Sequence, residues 1–399
     1  MHFFTIASSN YLAHAKVLAK SIKKFNNDAT FHLILISKTT VQEEQNRRSK
    51  IFDYIWKAEQ VLPKEKQNLF FIYDALELSC LLKPLGALYI LNKNPTIKTL
   101  TYLDSDIEAF ASLSFIEDEL KDHSILLTPH LLKPNHEKNE IIFHEFSMMK
   151  TGVYNAGFFA IKNDSEGNSF LSWWSERLKE FGEVDHPRGL YTDQKWLDFA
   201  PSFFPTLKLL QDPGSNVATW NLSERKVSKT QNGEWIINNK YPLRFFHFSG
   251  FDSGAHREVL ARYVSPNHPL WKLSLLHEQN LNNNEHQKIK KDGYPYACYT
   301  NKTKISPIER RFYKENEELQ RKFIDPFSEE CQRWMHSHIH HTLRSPLTKI
   351  SIRSLTFYYL LFKIISAFSI GNLQKTSKLN KEICKHLLKN AAQGSSISW

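Results

Sequence analysis

The sequence predicts an α/β protein: a mainly parallel sheet flanked by helices, with a mainly helical addition at the C-terminal end. Three observations lead there. Apolar runs of strand length alternate with amphipathic helical patterns as far as about residue 248, after which strand-like runs stop. Several runs, residues 31–36 among them, are nearly continuous rather than alternating, as strands covered on both faces are. Finally, 41% of the 399 residues are hydrophobic and 13% aromatic, enough to fill a large core.

The elements follow in order. Residues 3–7 read as the first strand, and Ser8, Ser9 and Asn10 bring capping side chains ahead of a helix with Ala13, Val17, Leu18 and Ile22 on one face. Residues 75–82 have a helical pattern that Pro84 is expected to break. Residues 99–107 read as a strand ending in Asp104 and Asp106. Residues 124–128 and 153–161 are further strands, the second with Asn155, Ala156 and Gly157 embedded in it. Residues 170–181 form an amphipathic helix whose Trp173 and Trp174 are expected to pack in the core. A last strand spans residues 243–248. The polar, Asn- and Lys-rich stretch 280–292 reads as a surface linker, and residues 308–323 as a charged helix. These readings divide the chain into a main domain at 1–280, a linker at 281–304 and a basic helical region at 305–399.

The net charge of +10 is unevenly placed, with ten Lys or Arg against the single acid Glu382 after residue 330. Within that region residues 354–370 are the most apolar of the chain. They are interrupted by Lys363 and short of the roughly 20 residues a membrane span needs. An amphipathic helix is expected there, either packed on the core or lying on an anionic membrane surface. Nucleic acid is not expected as a partner, because no nucleic-acid fold signature accompanies the basic residues. The four cysteines lie far apart, which favours a reducing compartment and argues against structural zinc. The N-terminal residues lack the pattern of a secretory signal, so a cytoplasmic protein, free or peripheral at the inner face of a membrane, is the expectation.

Asp104 and Asp106 carry the most chemistry. Two carboxylates one residue apart at the C-terminal end of a strand stand where open α/β sheets bind ligands, and they can share one divalent cation on a diphosphate. Asp-x-Asp also occurs by chance in solvated turns, so the context decides. The phosphatases of the haloacid-dehalogenase type continue into a Thr or Val and a Gly-rich turn, whereas Ile107, Glu108, Ala109 and Phe110 follow here. Neither a P-loop nor a dinucleotide fingerprint is present.

Several local patterns, in order, resemble one family. Residues 6–11 through Ala19, Lys20 and Ser21 look like a first strand and helix whose loop cradles a nucleoside. Residues 102–106 look like a metal-binding Asp-x-Asp, residues 154–158 like an Asn-Ala-Gly strand lining a sugar pocket, Asp193 and Gln194 like an acceptor-side pair, and residues 246–250 like a late His-x-x-Gly block. Over residues 1–255 the chain resembles glycosyltransferases of the GT-A fold, a single Rossmann-like mixed sheet, and among them glycosyltransferase family 8.

The resemblance implies a metal-dependent, hexosyltransferase-like enzyme that moves a sugar from a UDP-sugar with retention of configuration. It implies Mn²⁺, or Mg²⁺ as a substitute, on Asp104, Asp106 and His247, and a nucleotide donor against Ala7, Ser8, Asn10, Tyr11, Gly157 and Gly250. Asp193, Asn155 and Gln194 are the candidate catalytic residues, and a glycan, a lipid-linked sugar or a protein side chain the acceptor. The family often has a lysine after the His-x-x-Gly block, but Phe251, Asp252 and Ser253 stand here, so the cation for the diphosphate has to come from elsewhere. Lys83 is the first candidate, with Arg225 and His256 behind it.

Each residue keeps a structural alternative. Lys83 could bind the last carbonyls of a helix, Asp193 could cap one, and Asn155 and Gly157 could form a bulge. His247 could be a core histidine, although period-two alternation puts Phe246 and Phe248 on the opposite face. His336, His338, His340 and His341 read as a solvated face rather than a metal site. Two other functions compete. A nucleotidyl- or phosphotransferase is disfavoured because no Gly-rich, Arg-bearing loop follows Ile6, and a membrane- or polyanion-tethering protein would rely on the basic C-terminal helices.

Overall fold

The computed structural model describes residues 1–38 and 51–344, and the chain divides into two compact units, Met1–Glu329 and Glu330–Trp399. In the second unit the described residues continue a helix, Glu329–Arg344. The apolar stretch at 354–370 and the basic residues from Lys349 onward lie outside the described residues.

In chain order the elements that position the site are β1 (His2–Ser8), α1 (Leu12–Phe25), β2 (Thr30–Ile36), β3 (Tyr54–Lys57), α2 (Ala75–Lys93), β4 (Thr99–Leu103), β5 (Ile107–Ala109) and β6 (Ile125–Pro129). They are followed by β7 (Tyr154–Lys162), α3 (Ser165–Phe181), β8 (Leu207–Leu209), β9 (Val217–Ala218), β10 (Phe245–His247), α4 (Ala255–Tyr263) and α5 (Pro269–Asn282). Seven strands form the main sheet in the order β8-β6-β7-β4-β1-β2-β3. All neighbours are parallel except β7, which runs antiparallel to both β6 and β4, so the sheet is mixed. Helix α1 closes one face with Leu12, Ala13, Val17, Leu18 and Ile22, all buried, as the periodicity requires. A second sheet, β9-β10-β5, sits at the C-terminal end of β4 over a separate core that includes Val217, Phe246, Phe248, Leu260, Leu270 and Leu273.

Strand β4 is shorter than the apolar run suggests. It ends at Leu103, the chain turns at Asp104 with the Ile107 amide donating to the Asp104 carbonyl at 3.0 Å, and β5 then joins the second sheet. That change of sheet leaves both carboxylates on the turn.

Three other expectations are corrected. Helix α2 runs through Pro84 for 19 residues. A proline inside a helix removes one backbone hydrogen bond, but Leu78, Leu81, Leu82, Leu85, Ile90 and Leu91 are all buried on it, and packing outweighs that loss. The start is fixed by Asp74, whose carboxylate accepts from the amides of Leu76 and Glu77 in a capping box. The stretch expected to be a linker is packed structure: Leu281, Asn284, His286 and Ile289 are buried, and Asn284 accepts from Lys20 of α1. The charged helix at 308–323 is two helices, Pro307–Glu315 and Glu317–Lys322, with Asn316 capping the second.

Candidate functional site

The register of the second sheet builds the centre of the site. β10 pairs with β5 so that His247 lies opposite Ile107, and the Phe248 amide donates to the Asp106 carbonyl at 2.9 Å. Alternation along β10 buries Phe246 and Phe248 in the second core and turns His247 toward the acids. Its Nε2 is 3.1 Å from Asp106 Oδ1 and 3.9 Å from Asp104 Oδ2. The donor atoms of Asp104, Asp106 and His247 all lie within 4.8 Å of one another, close enough to share one ion.

The rest of the imidazole is fixed. Asn216 donates through Nδ2 to Thr128 Oγ1 and Asn155 Oδ1, both at 2.9 Å, so its own Oδ1 is the acceptor that faces His247 Nδ1 at 3.4 Å. A proton on Nδ1 leaves Nε2 as the nitrogen presented to the acids, the arrangement a metal-binding histidine needs. Trp220 meets the ring edge-on at 5.0 Å. No motif in the sequence points to Asn216 or Trp220. Asn216 sits in a left-handed turn, φ 53°, in an irregular segment with no periodic pattern to point to it.

Electrostatics bind the same groups. Burial alone raises the Asp106 carboxyl, yet the His247 cation beside it holds the group down at about 2. His247 moves the other way: burial disfavours its charge, and the Asp106 and Asp104 carboxylates outweigh that and raise it. The two carboxylates thus favour positive charge beside them, and a divalent ion bound there would compete with a proton on His247.

β7 lines the next part of the pocket. The β6–β7 register shifts between Leu127 and Thr128, so Thr128 pairs with Asn155 after Leu127 pairs with Phe159, and Ala156, Gly157 and Phe158 form a bulge that begins beside Asn155. The bulge faces the site. Asn155 Nδ2 is 3.2 Å from His130 Nε2, and its Oδ1 accepts from the Gly157 amide at 3.1 Å. Burial pushes His130 down to about 4, and its Nδ1 faces the Val153 carbonyl at 3.2 Å, so Nε2 is free to accept from Asn155. Gln194 meets Asn155 at 3.4 Å and the Ala156 amide at 3.3 Å through Oε1.

Gly157 is required where it stands. A Cβ there would lie 2.5 Å from His247 Cε1, 2.7 Å from Asn155 Oδ1 and 2.9 Å from Asp104 Oδ2. Gly157→Ala is therefore expected to push His247 and Asp104 apart, with a stability loss of about 1–3 kcal/mol and divalent-ion affinity at least ~10-fold weaker, equivalent to ~1.4 kcal/mol. Thermal melts and calorimetric Mn²⁺ titration check both, and unchanged values would show that the contact is not limiting.

Lys83, the candidate cation for the diphosphate, is held by groups of the protein itself. It projects from the middle of α2, its side chain is 6% exposed, and its ammonium lies 2.8 Å from Asp193 Oδ2, 3.2 Å from Asp104 Oδ1 and 3.0 Å from the Ala156 carbonyl. Burial opposes its charge, but Asp104 and Asp193 raise its pKa well above that of a free lysine. Arg225 is also turned inward, onto the Ser215 carbonyl and Glu224, and His256 is buried against Ser274. Asp193 caps no helix. It follows Thr192, which is held at φ 43°, accepts from the Thr192 hydroxyl at 3.0 Å, and its carbonyl accepts from the buried Trp174 indole at 3.0 Å.

At the end of β1, Ala7 and Ser8 are buried, and the Ser8 hydroxyl donates to Asn10 Oδ1 at 2.7 Å. Tyr11 is 37% exposed and stacks on His14 with centroids 5.0 Å apart. Burial, with Asp252 and Asp106 nearby, pushes its hydroxyl up to about 12. Tyr11, His14, Asp106, Gly250 and Asp252 line a pocket of about 80 Å³ with Phe248, Phe251 and Ser253. Gly250 turns the chain there at φ 72°.

No family model matches the chain. Two proteins of Bacillus subtilis (strain 168) are similar in sequence. YfnF is 29% identical over 253 residues, 62% of this chain and 81% of its own length, and YfnD is 24% identical over 262 residues, 64% and 80%; both are uncharacterized. Solved structures similar to this chain include the galactosyltransferase LgtC in complex with donor and acceptor sugar analogs, at 15% identity with a TM-score of 0.44, covering 71% of this chain and 96% of that one. Mouse xyloside xylosyltransferase 1 is similar at 14% identity and a TM-score of 0.38, covering 62% and 97%. The glycosyltransferase GlyE of Streptococcus pneumoniae TIGR4 is similar at 15% and 0.39, covering 75% and 66%.

Proposed function

We propose that this protein is a metal-dependent glycosyltransferase of the GT-A type that transfers a sugar from a UDP-sugar with retention of configuration. One observation carries the reading: Asp104, Asp106 and His247 converge within 4.8 Å at the C-terminal end of β4, on a turn kept open by Gly157. The donor set fits a divalent ion. Two carboxylates and an imidazole whose other nitrogen is already bonded suit Mn²⁺, with Mg²⁺ as a substitute, better than the all-oxygen preference of Ca²⁺. When bound, the ion supplies Lewis-acid neutralisation of the charge that builds on the departing diphosphate.

The chain's own groups do the rest. Asn155 and Gln194 bring uncharged amides to the bulge, the chemistry that recognises sugar hydroxyls without adding charge. Asp193, pinned by Lys83, Thr192 and Trp174, is a positioning carboxylate beside the sugar pocket. Its burial with an ammonium suits that role better than proton abstraction. The half-exposed Tyr11 ring offers a face to the nucleoside base.

The test is release of UDP from a panel of UDP-sugars in Mn²⁺, with and without EDTA. Release from one or two sugars, lost in EDTA, is expected. No release, together with no UDP binding by calorimetry, overturns the reading.

A further inference from the structure

We infer that His14, Asp252 and His286 form a second divalent-cation site beside the first, suited to an ion of the zinc class. The three residues come from separate segments: His14 from α1, Asp252 from the turn after β10, and His286 from the helical turn His286–Ile289. Their donor atoms lie within 4.8 Å of one another. His14 Nε2 is 3.2 Å from Asp252 Oδ2 and His286 Nε2 is 2.9 Å from Oδ1, so each carboxylate oxygen takes one imidazole.

The placement of the two rings suits a shared ion. Both are buried, at 1% and 4% exposure, and both turn Nε2 onto the one carboxylate. The ring geometry also fits. The two planes meet at 89° with centroids 5.0 Å apart, while two imidazoles on one tetrahedral ion at 2.0–2.1 Å place their centroids roughly 5 Å apart. Lys290 stands 3.3 Å from Asp252 Oδ1 with its side chain 46% exposed, so it can withdraw when an ion supplies the charge.

Two imidazoles and a carboxylate are the donors of open zinc-type sites, which keep a further position for water or substrate. Two of the three ligands, His14 and Asp252, also line the 80 Å³ pocket with Asp106 and Tyr11. An ion on each side of the pocket would hold an anion between them. That role at the donor diphosphate rests on the function proposed above; the site itself does not.

Co²⁺ is the probe, followed by visible absorption and equilibrium dialysis on the full chain. A His338→Ala, His340→Ala background silences the histidine-rich C-terminal stretch. The Asp104→Asn, Asp106→Asn protein is expected to keep one Co²⁺ equivalent with the intense band of low-coordinate cobalt. Adding Asp252→Asn or His286→Gln should abolish it. Absence of the band from the Asp104→Asn, Asp106→Asn protein overturns the site, as does its survival in both added variants. Should an added variant fail to fold by circular dichroism, the Asp104→Asn, Asp106→Asn protein decides alone. Cobalt binding without UDP release would leave this site standing and remove the glycosyltransferase reading, and the converse result would do the opposite.

Discussion

Asp106→Ala is expected to lower UDP release from the active UDP-sugar by about 10³-fold, because Lewis-acid stabilisation of a departing phosphate is worth several kcal/mol and each ~1.4 kcal/mol is a factor of ten in rate. The choice of Asp106 over Asp104 is deliberate. The Asp104 carboxylate also accepts from the Tyr102 hydroxyl at 2.5 Å and pairs with Lys83, so its removal disturbs two buried groups. The Asp106 side chain meets His247, and the backbone bond from Phe248 to the Asp106 carbonyl does not depend on the side chain. Loss of the carboxylate leaves His247 able to go neutral, so the fold should stand. Rate, Mn²⁺ affinity by calorimetry and thermal midpoint should therefore separate: the first two collapse and the third moves little. A variant that retains more than about a tenth of the wild-type rate, a change of less than ~1.4 kcal/mol, would show that no ion at this cluster supports the chemistry.

Some of this site is legible in the sequence because its determinants are local. An apolar run followed by two acids marks Asp104 and Asp106, and alternation around His247 predicts its face. Other parts depend on where distant segments meet. Asn216 orients His247 from an irregular stretch, and His14, Asp252 and His286 are separated by 238 and 34 residues, so no spacing rule joins them. The polar stretch around Asn280 misleads for a physical reason. Composition does not distinguish polar side chains that face water from those that satisfy each other. Here Asn280 and His277 both bond the buried Glu108, at 2.7 and 2.8 Å. Lys83 misleads through Pro84: a helix expected to stop there would leave the lysine at its exposed end, but the buried helix continues and carries the ammonium inward.

That inward lysine carries the second large effect. In Lys83→Met the side chain keeps its length and loses its charge, leaving Asp193, 3% exposed, without its ionic partner. Removing one member of a buried pair costs about 3–5 kcal/mol, because the other stays behind uncompensated. Asp104 suffers less, since its side chain is 28% exposed and it keeps the Tyr102 hydroxyl. Urea unfolding should show the loss, and Lys83→Met with Asp193→Asn should recover much of it, since the stranded charge is then gone. The same substitution has the opposite sign at the metal cluster. Lys83 is a fixed cation 3.2 Å from Asp104 Oδ1, and it competes with any divalent ion for that carboxylate. Mn²⁺ should bind the folded Lys83→Met protein at least as tightly as wild type while UDP release falls, because Asp193 is no longer held beside the sugar pocket. A variant as stable as wild type would show that the pair is solvated and that the lysine is free to serve the diphosphate after all. A variant that loses Mn²⁺ affinity would show instead that Lys83 orients Asp104 for the ion rather than competing with it.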